Sequence, residues 1–422
     1  MSEDNGSGAF QKSGTGENTV PAGTRLIAIA SNECMTESSQ ELSQSVYDSS
    51  QEFSNLDQQA YTWTTPKNLS LVELNELANN DPCIIGLAND AILSANALPN
   101  DPFLSNQTQM TSIGAKETYA FFSDKGHGSV NDVIVAVIDS GISTSHPDLQ
   151  NQLWSSAGNF GYNFVSSNNN IADDFGHGTN VSGIIAAQSN NGIGVVGVMG
   201  HNIRLMTLKV QDSLGKGYIS DIVSAINYAR ANSANVINIS MVGYGANAAL
   251  QSALQTASNE SIFIAVAAGN DSLTISTSSS NYAIPALYGS AIAGMMTVGS
   301  VVAQSNTRSS FSNISSTYVE IAAPGSGGLY YTSMPNSYNT GIGTSYSAPQ
   351  VAGAGALVIS FFKKNNINYT ASMVETALSE SSYRSAAAAS YFNGGKILDL
   401  RGLKEYLVHT YLTSQSGGFN DF

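Results

Sequence analysis

Residues 133–139 read VIVAVID, six consecutive apolar residues closed by a carboxylate. A run without polar alternation suits a strand covered on both faces, as in a parallel sheet. Asp139 then stands where the strand emerges, and a carboxylate there is unfavourable unless paired or hydrogen-bonded. The text beyond keeps alternating. HGTNVSGIIAAQ has a helical pattern, IRLMTLKV a strand pattern and ISDIVSAINYARAN an amphipathic helical one. VINIS, LQSALQTASN, IFIAVAAG, MMTVGSV and VEIAAPG continue the series, and helical segments are expected from Ser345, near 371–380 and over 400–412. This predicts an α/β fold, a mostly parallel sheet sandwiched by helices. Ligands of such sheets gather beyond the carboxyl ends of the strands. Asp139, Ser240 and Asn270 all fall at or just past such ends.

A second feature is GIGTSYSAPQVAGAGAL, residues 341–357, where a glycine-spaced lead-in meets a run of small residues at Ser345. Serine there can cap a helix. It can also be a nucleophile, which requires a base and a group that orients the base. The chain has five histidines, His127, His146, His177, His201 and His409. His177, in DDFGHGTNVSG, is the best base, because Gly176 and Gly178 let other backbone approach and a helix of small residues follows. A structural histidine at a helix start fits the same text. Asp139 could accept from an imidazole N–H or begin an Asx turn. Asn270, in IFIAVAAGNDS, could donate to a developing oxyanion or be a turn residue. VINISMVGYG offers a strand end that could pair with an extended peptide.

Taken together, these phrases are similar to the motifs of the subtilisin family of serine proteases, over roughly 99–400. VIVAVIDSGISTSHPDL resembles the family's aspartate motif, DFGHGTNVSGIIAA its histidine motif and GTSYSAPQVAG its serine motif. The resemblance implies a self-processing serine endopeptidase acting on polypeptides. Asp139 would orient the imidazole, His177 would be general base and then acid, and Ser345 would attack, while also opening its helix. The Asn270 side chain and the Ser345 N–H would bind the oxyanion. Ser240, Met241, Val242 and Gly243 would line the substrate cleft. Departures from the family pattern are Asn180 in place of a second histidine, Tyr346-Ser347-Ala348 after the nucleophile, and Val242 where the cleft strand usually has glycine. Val242 should favour small side chains before the cut. A catalytically silent relative that binds peptides or inhibits is the alternative.

The resemblance also implies a structural calcium. Asp101 of LPNDPF, Asp148 of SHPDL and Asn191 would give side-chain oxygens, and Ile193 and Val195 would lend carbonyls. Oxygen ligands from three loops suit Ca²⁺. Residues 1–23 read as a flexible leader, 24–98 as a small α+β propeptide that inhibits and assists folding, and 99–422 as the catalytic domain. Self-cleavage is expected between Ala95 and Pro99, and Cys34 and Cys83 could form a disulfide. Within 24–98, helices are expected over 36–51 and 70–80, and residues 96–109 read as a joint.

Net charge is −15, which argues against nucleic acid as a partner. Residues 1–98 carry 13 acids and 3 bases, hence −10; the remainder carries 18 and 13, hence −5. Low charge and abundant Ser, Asn and Gly suit a secreted or envelope protein, although no signal peptide or transmembrane segment is evident. A monomer is expected.

Overall fold

The computed structural model describes residues 98–122, 132–278 and 280–412, together with the strand backbones of the first 97 residues. The chain divides into two compact units, Met1–Ala95 and Asn96–Phe422. The strands of the first are β1 (Gln11–Lys12), β2 (Asn18–Val20), β3 (Arg25–Ser31), β4 (Glu52–Asn55), β5 (Gln58–Thr64), β6 (Leu69–Ser70) and β7 (Ile84–Asn89). They form an antiparallel four-stranded sheet in the order β4-β5-β3-β7 and a three-stranded one in the order β1-β2-β6. Two short strands thus fall within the leader read as flexible. Ser70, expected to begin a helix, ends strand β6, while residues 36–51 and 71–80 of the expected helices, both cysteines and residues 95–97 of the cleavage segment lie outside the described residues.

The second unit is built on β8 (Val133–Asp139), β9 (Gly161–Asn163), β10 (Ile203–Lys209), β11 (Val236–Ile239), β12 (Gly243–Tyr244), β13 (Phe263–Ala267), β14 (Ala283–Ile284), β15 (Met295–Val302), β16 (Ile321–Ser326), β17 (Leu329–Ser333), β18 (Ser337–Gly341), β19 (Tyr383–Arg384) and β20 (Lys396–Ile397). Its main sheet runs β19-β20-β16-β15-β13-β11-β8-β10-β9 and is parallel apart from the β19–β20 edge. From β8 the chain goes first to the edge strand β9, returns to insert β10 between the two, and then places β11 on the opposite side of β8. β8 is therefore the strand at which the order reverses, and the crevice beyond its carboxyl end is where such sheets bind ligands.

The helices are α1 (Thr108–Ser112), α2 (Ala115–Phe122), α3 (His177–Ala186), α4 (Ile219–Ala231), α5 (Ala248–Asn259), α6 (Thr344–Lys364), α7 (Ala371–Glu380) and α8 (Leu400–Leu407). The unbroken apolar run of β8 serves two cores. Val133, Val135 and Val137 join residues of α3 and α6, whereas Ala136 and Ile138 join residues of α4 and α5. Alternate residues thus face opposite helical layers, and every position is buried or nearly so. The small residues of α6 let that helix lie close to the sheet. A Cβ on Gly355 would come 2.4 Å from the Phe263 ring, and one on Gly353 would come 2.7 Å from Val198.

Three features depart from the pattern read in sequence. Residues 98–109, read as part of a joint, include the start of helix α1 and a buried side-chain clasp. The Gln107 side chain accepts from Val196 N at 2.9 Å and donates to Val196 O at 2.8 Å, satisfying both backbone groups of a buried residue that lies in no strand. A hairpin, β17 with β18, leads directly into α6. And α6 begins at Thr344 with Gly343 in the N-cap position, so Ser345 is its second residue and does not cap it. Among the described residues no helix is long and apolar enough to cross a membrane.

Candidate active site

Parallel pairing of β8 with β10 and β11 buries the end of β8, and with it the Asp139 carboxylate, which is 1% exposed. The burial is compensated locally. The Ser140 amide donates to Asp139 Oδ1 at 2.7 Å. His177 Nδ1 lies 2.8 Å from Oδ1 and 3.0 Å from Oδ2. A carboxylate only accepts, so Nδ1 carries the hydrogen and Nε2 is left with its lone pair. Burial works against the imidazolium, but the charge and hydrogen bond of Asp139, with a further contribution from Asp173, hold the His177 pKa above the ordinary histidine value.

The segment 173–179 brings His177 to this carboxylate. Gly176, with φ of 99°, is the N-cap of α3 and takes a backbone conformation that favours glycine. Gly178 is also a fit requirement, because a Cβ there would stand 2.2 Å from Gly141 O. α3 can therefore dock its first turn against the end of β8 only with these small residues.

Ser345 is in the first turn of α6. Its hydroxyl donates to Ser240 O at 3.0 Å. Tyr346, the next residue, sets its ring 5.9 Å from the His177 ring and stacks on Tyr331 at 4.6 Å. Ser345 thus sits between the end of β11 and the imidazole-bearing helix. Asn270, just past β13, is exposed, and its Oδ1 accepts from both the amide and the hydroxyl of Thr344 at 2.9 Å. That fixes the amide with its nitrogen turned away. Beside Gly343, the point a Cβ would occupy lies 3.5 Å from Asn270 Nδ2 and 3.7 Å from Ser345 N. Two donors converge on one empty position. Asp139 meets His177 directly, Ser345 and Asn270 meet beside Gly343, and the Tyr346–His177 ring contact joins the two pairs, drawn from more than 200 residues of sequence.

The cleft side is formed by Ser240, Met241 and Val242, which lie in no strand, and by Gly243, which pairs with Ile284. Met241, Val242 and Gly243 border a cavity of about 560 Å³ closed by the 215–219 loop, Leu250 and Pro285. Val242 also leans toward Gly269, where a Cβ would lie 3.4 Å from its Cγ2. It fills space next to Asn270.

The expected cation ligands also gather. Asp101 and Asp148 are both buried, and burial is the largest influence raising each pKa; their mutual repulsion raises that of Asp101 further. Asp101 Oδ2 accepts from Asn190 N, but Oδ1 is buried with no partner. Asn191 departs from the expectation. Its Nδ2 donates to Asp148 Oδ1 at 2.8 Å and its Oδ1 accepts from Ile193 N, so it faces Asp148 with nitrogen, whereas ligation needs the oxygen. The Val195 amide donates to Asp148 Oδ2 at 3.0 Å, and Ile193 is 41% exposed. Among the described residues no three His, Cys, Asp or Glu converge, so any cation here relies on the carboxylate pair and on amide or carbonyl oxygens.

Sequence reading missed Thr344, which anchors Asn270; Asp173, which ties down the start of α3; and the buried Lys209. Lys209 Nζ donates to Ser140 O at 2.5 Å and to Asp174 at 2.6 Å. The Asp-Asp pair before FGHGT was the available signal for two of these contacts.

A family model described as the subtilase family matches residues 130–410. A thermophilic serine proteinase of Bacillus sp. (strain AK1) is 34% identical over 320 residues, covering 76% of this chain and 72% of that protein. Subtilisin NAT of Bacillus subtilis subsp. natto is 42% identical over 231 residues, 54% of this chain and 56% of that one. A solved structure of proteases from Pseudoalteromonas arctica PAMC 21717 superposes with a TM-score of 0.60 at 27% identity, covering 73% of this chain and 99% of that one.

The Asp139 contact makes a direct prediction. In a proton NMR titration, His177 should titrate above about 6.5, the ordinary histidine value, and Asp139→Asn should bring it down. A His177 value at or below the ordinary one in the unsubstituted protein would contradict the pairing.

Proposed function

The chain belongs to the subtilase family of serine-type endopeptidases, and on that premise we propose that it cleaves polypeptides through Asp139, His177 and Ser345. The observation that carries the reading is the contact of His177 Nδ1 with a buried Asp139, which leaves Nε2 to serve as base. For reaction, the Ser345 hydroxyl turns from Ser240 O to the imidazole. His177 then takes the proton as Oγ attacks the carbonyl carbon. Asp139 stabilises the imidazolium. The negative oxygen of the tetrahedral intermediate settles beside Gly343, where Asn270 Nδ2 and Ser345 N can both donate. His177 next protonates the leaving amine, and water repeats the sequence to release the acyl group. Loss of one such donor in a subtilisin lowers kcat by about 10²–10³.

Residues 24–98 are proposed to be an inhibitory propeptide, removed by self-cleavage between Ala95 and Pro99, and the protein is proposed to be secreted and monomeric. Wild type should shorten at that segment on expression, as read by intact mass, while Ser345→Ala stays full length. Wild type that stays full length and inactive would favour the peptide-binding alternative.

Val242 is proposed to restrict the pocket for the side chain preceding the cut. A side chain that crowds such a pocket by a methylene or two changes selectivity by about 10–200-fold. Peptide-library cleavage by wild type should favour small side chains there, and Val242→Gly should raise relative kcat/KM for bulky ones. Wild type favouring Phe or Tyr would reject this.

The Asp101–Asp148 pair is proposed to hold a structural Ca²⁺, with Asn191 turning its amide and Ile193 and Val195 contributing carbonyls. The unpartnered Oδ1 of Asp101, on a buried carboxylate repelled by Asp148, supports the fit. The ion would tie the loops together and takes no part in catalysis. Calcium at about a hundred times its dissociation constant should add about 2.7 kcal/mol of stability. A chelator should lower Tm, and Asp101→Asn should abolish the calcium response. A Tm indifferent to calcium in wild type would reject the site.

A further inference from the structure

The loop before α3 carries a carboxylate that the reading above leaves without a role. Asp173 Oδ1 accepts from the Ser140 hydroxyl at 2.8 Å, Gly176 N at 2.7 Å and Phe175 N at 3.2 Å. Its Oδ2 accepts from Thr179 N at 2.9 Å and the Thr179 hydroxyl at 2.6 Å. Five donors saturate it, more than a helix start alone requires. The donors come from two elements. Ser140 follows Asp139 at the end of β8; Gly176 and Thr179 flank His177 at the start of α3.

Its partners extend the weld. The Ser140 hydroxyl accepts from Gly178 N at 2.9 Å, while the Ser140 amide holds Asp139 Oδ1. The Thr179 hydroxyl accepts from Ser143 N at 3.0 Å. The Gly178 and Ser143 bonds tie the segment carrying the carboxylate to the segment carrying the imidazole.

Resting on the triad reading, we infer that Asp173 is a positioning residue for the Asp139–His177 pair: it locks Ser140 and the first turn of α3 together, fixing the distance and angle at which carboxylate meets imidazole. It also places a second negative charge near the imidazole. Burial would raise its own pKa, but the Thr179 hydroxyl and the Gly176 and Thr179 amides hold it below the usual carboxylate range, so it is ionised wherever His177 titrates. The ionisable groups around His177 are Asp139 from β8, Asp173 from the loop and Tyr346 from α6. Lys209 of β10 is engaged by Asp174 and the Ser140 carbonyl.

The test is Asp173→Asn in the full chain, which keeps the side chain's shape, removes the charge and sets donors against donors. Misplacing a base by a fraction of an ångström to an ångström lowers turnover by up to about a hundredfold. We expect kcat on a peptide anilide to fall about tenfold to a hundredfold with KM nearly unchanged. The acid limb of kcat/KM should move to lower pH, because the imidazolium loses a stabilising charge. Ser140→Ala, which cuts the link to β8 and leaves the helix donors in place, should lower kcat to a smaller degree, and it decides the matter if Asp173→Asn does not fold. Thr370→Ala, which removes the remote cap of α7 (Thr370 Oγ1 accepts from Met373 N at 3.2 Å), is the control and should lower Tm alone. If Asp173→Asn or Ser140→Ala behaves like that control, with wild-type kcat and acid limb, the inference is overturned. Ser345→Ala separates the two readings, since activity surviving in it rejects the triad and not the role of Asp173 alone.

Discussion

A charged group at the buried end of a parallel strand must find compensation there, and the arrangement around Asp139 follows from that requirement. Pairing with β10 and β11 removes water from its carboxylate. The Ser140 amide and the His177 ring take water's place. For the ring to arrive, α3 must start in contact with the β8 turn, which is why Gly178 has room for no side chain and Gly176 takes a conformation that favours glycine. Exclusion of solvent strengthens each of these contacts in turn.

The sequence disclosed the outline of this arrangement more readily than its supports. β8 was legible because strands buried on both faces lose their polar alternation, and the two cores sharing its alternate residues bear that out. The helices over 219–231 and 248–259 were legible from apolar spacing. Ser345, His177, Asp139 and Asn270 stood out because each sits in a phrase of unusually small residues. Their supports did not. Asp173 and Thr344 act through contacts whose partners lie far away in sequence or in ordinary turns, and nothing in their neighbourhood marks the target. Gln107 reads as a loop residue, yet its side chain satisfies both backbone groups of distant Val196. The N-cap was misplaced because serine is a favoured cap, whereas here Asn270 takes up the first helical amide from another part of the chain.

Buried carboxylates in this protein meet three different fates. Asp139 accepts from Ser140 N and from the His177 ring, and half-buried Asp173 is saturated with five donors. Asp101 and Asp148 lie near each other with too few donors, and burial raises both. Glu320, 8% exposed at the start of β16, accepts from Thr297 N at 2.7 Å, yet burial, aided by Glu375, pushes its pKa up to about 8. Donor-rich Asp173, held low, and acids raised by burial thus coexist in one domain. Five donors outweigh burial at Asp173, whereas the fewer donors at Asp101, Asp148 and Glu320 do not.

Gly343 supplies a site by withholding an atom. Its backbone, at φ of 153°, leaves unfilled the point on which an amide from α6 and another from the turn after β13 converge. The nearest heavy atoms to that point lie 3.5–3.8 Å away, so space is left there that a side chain at this position would occupy. Substitution of Gly343 would act as a plug rather than a lost contact. Such a residue makes no bond for a survey of interactions to record, and its importance is visible only as volume.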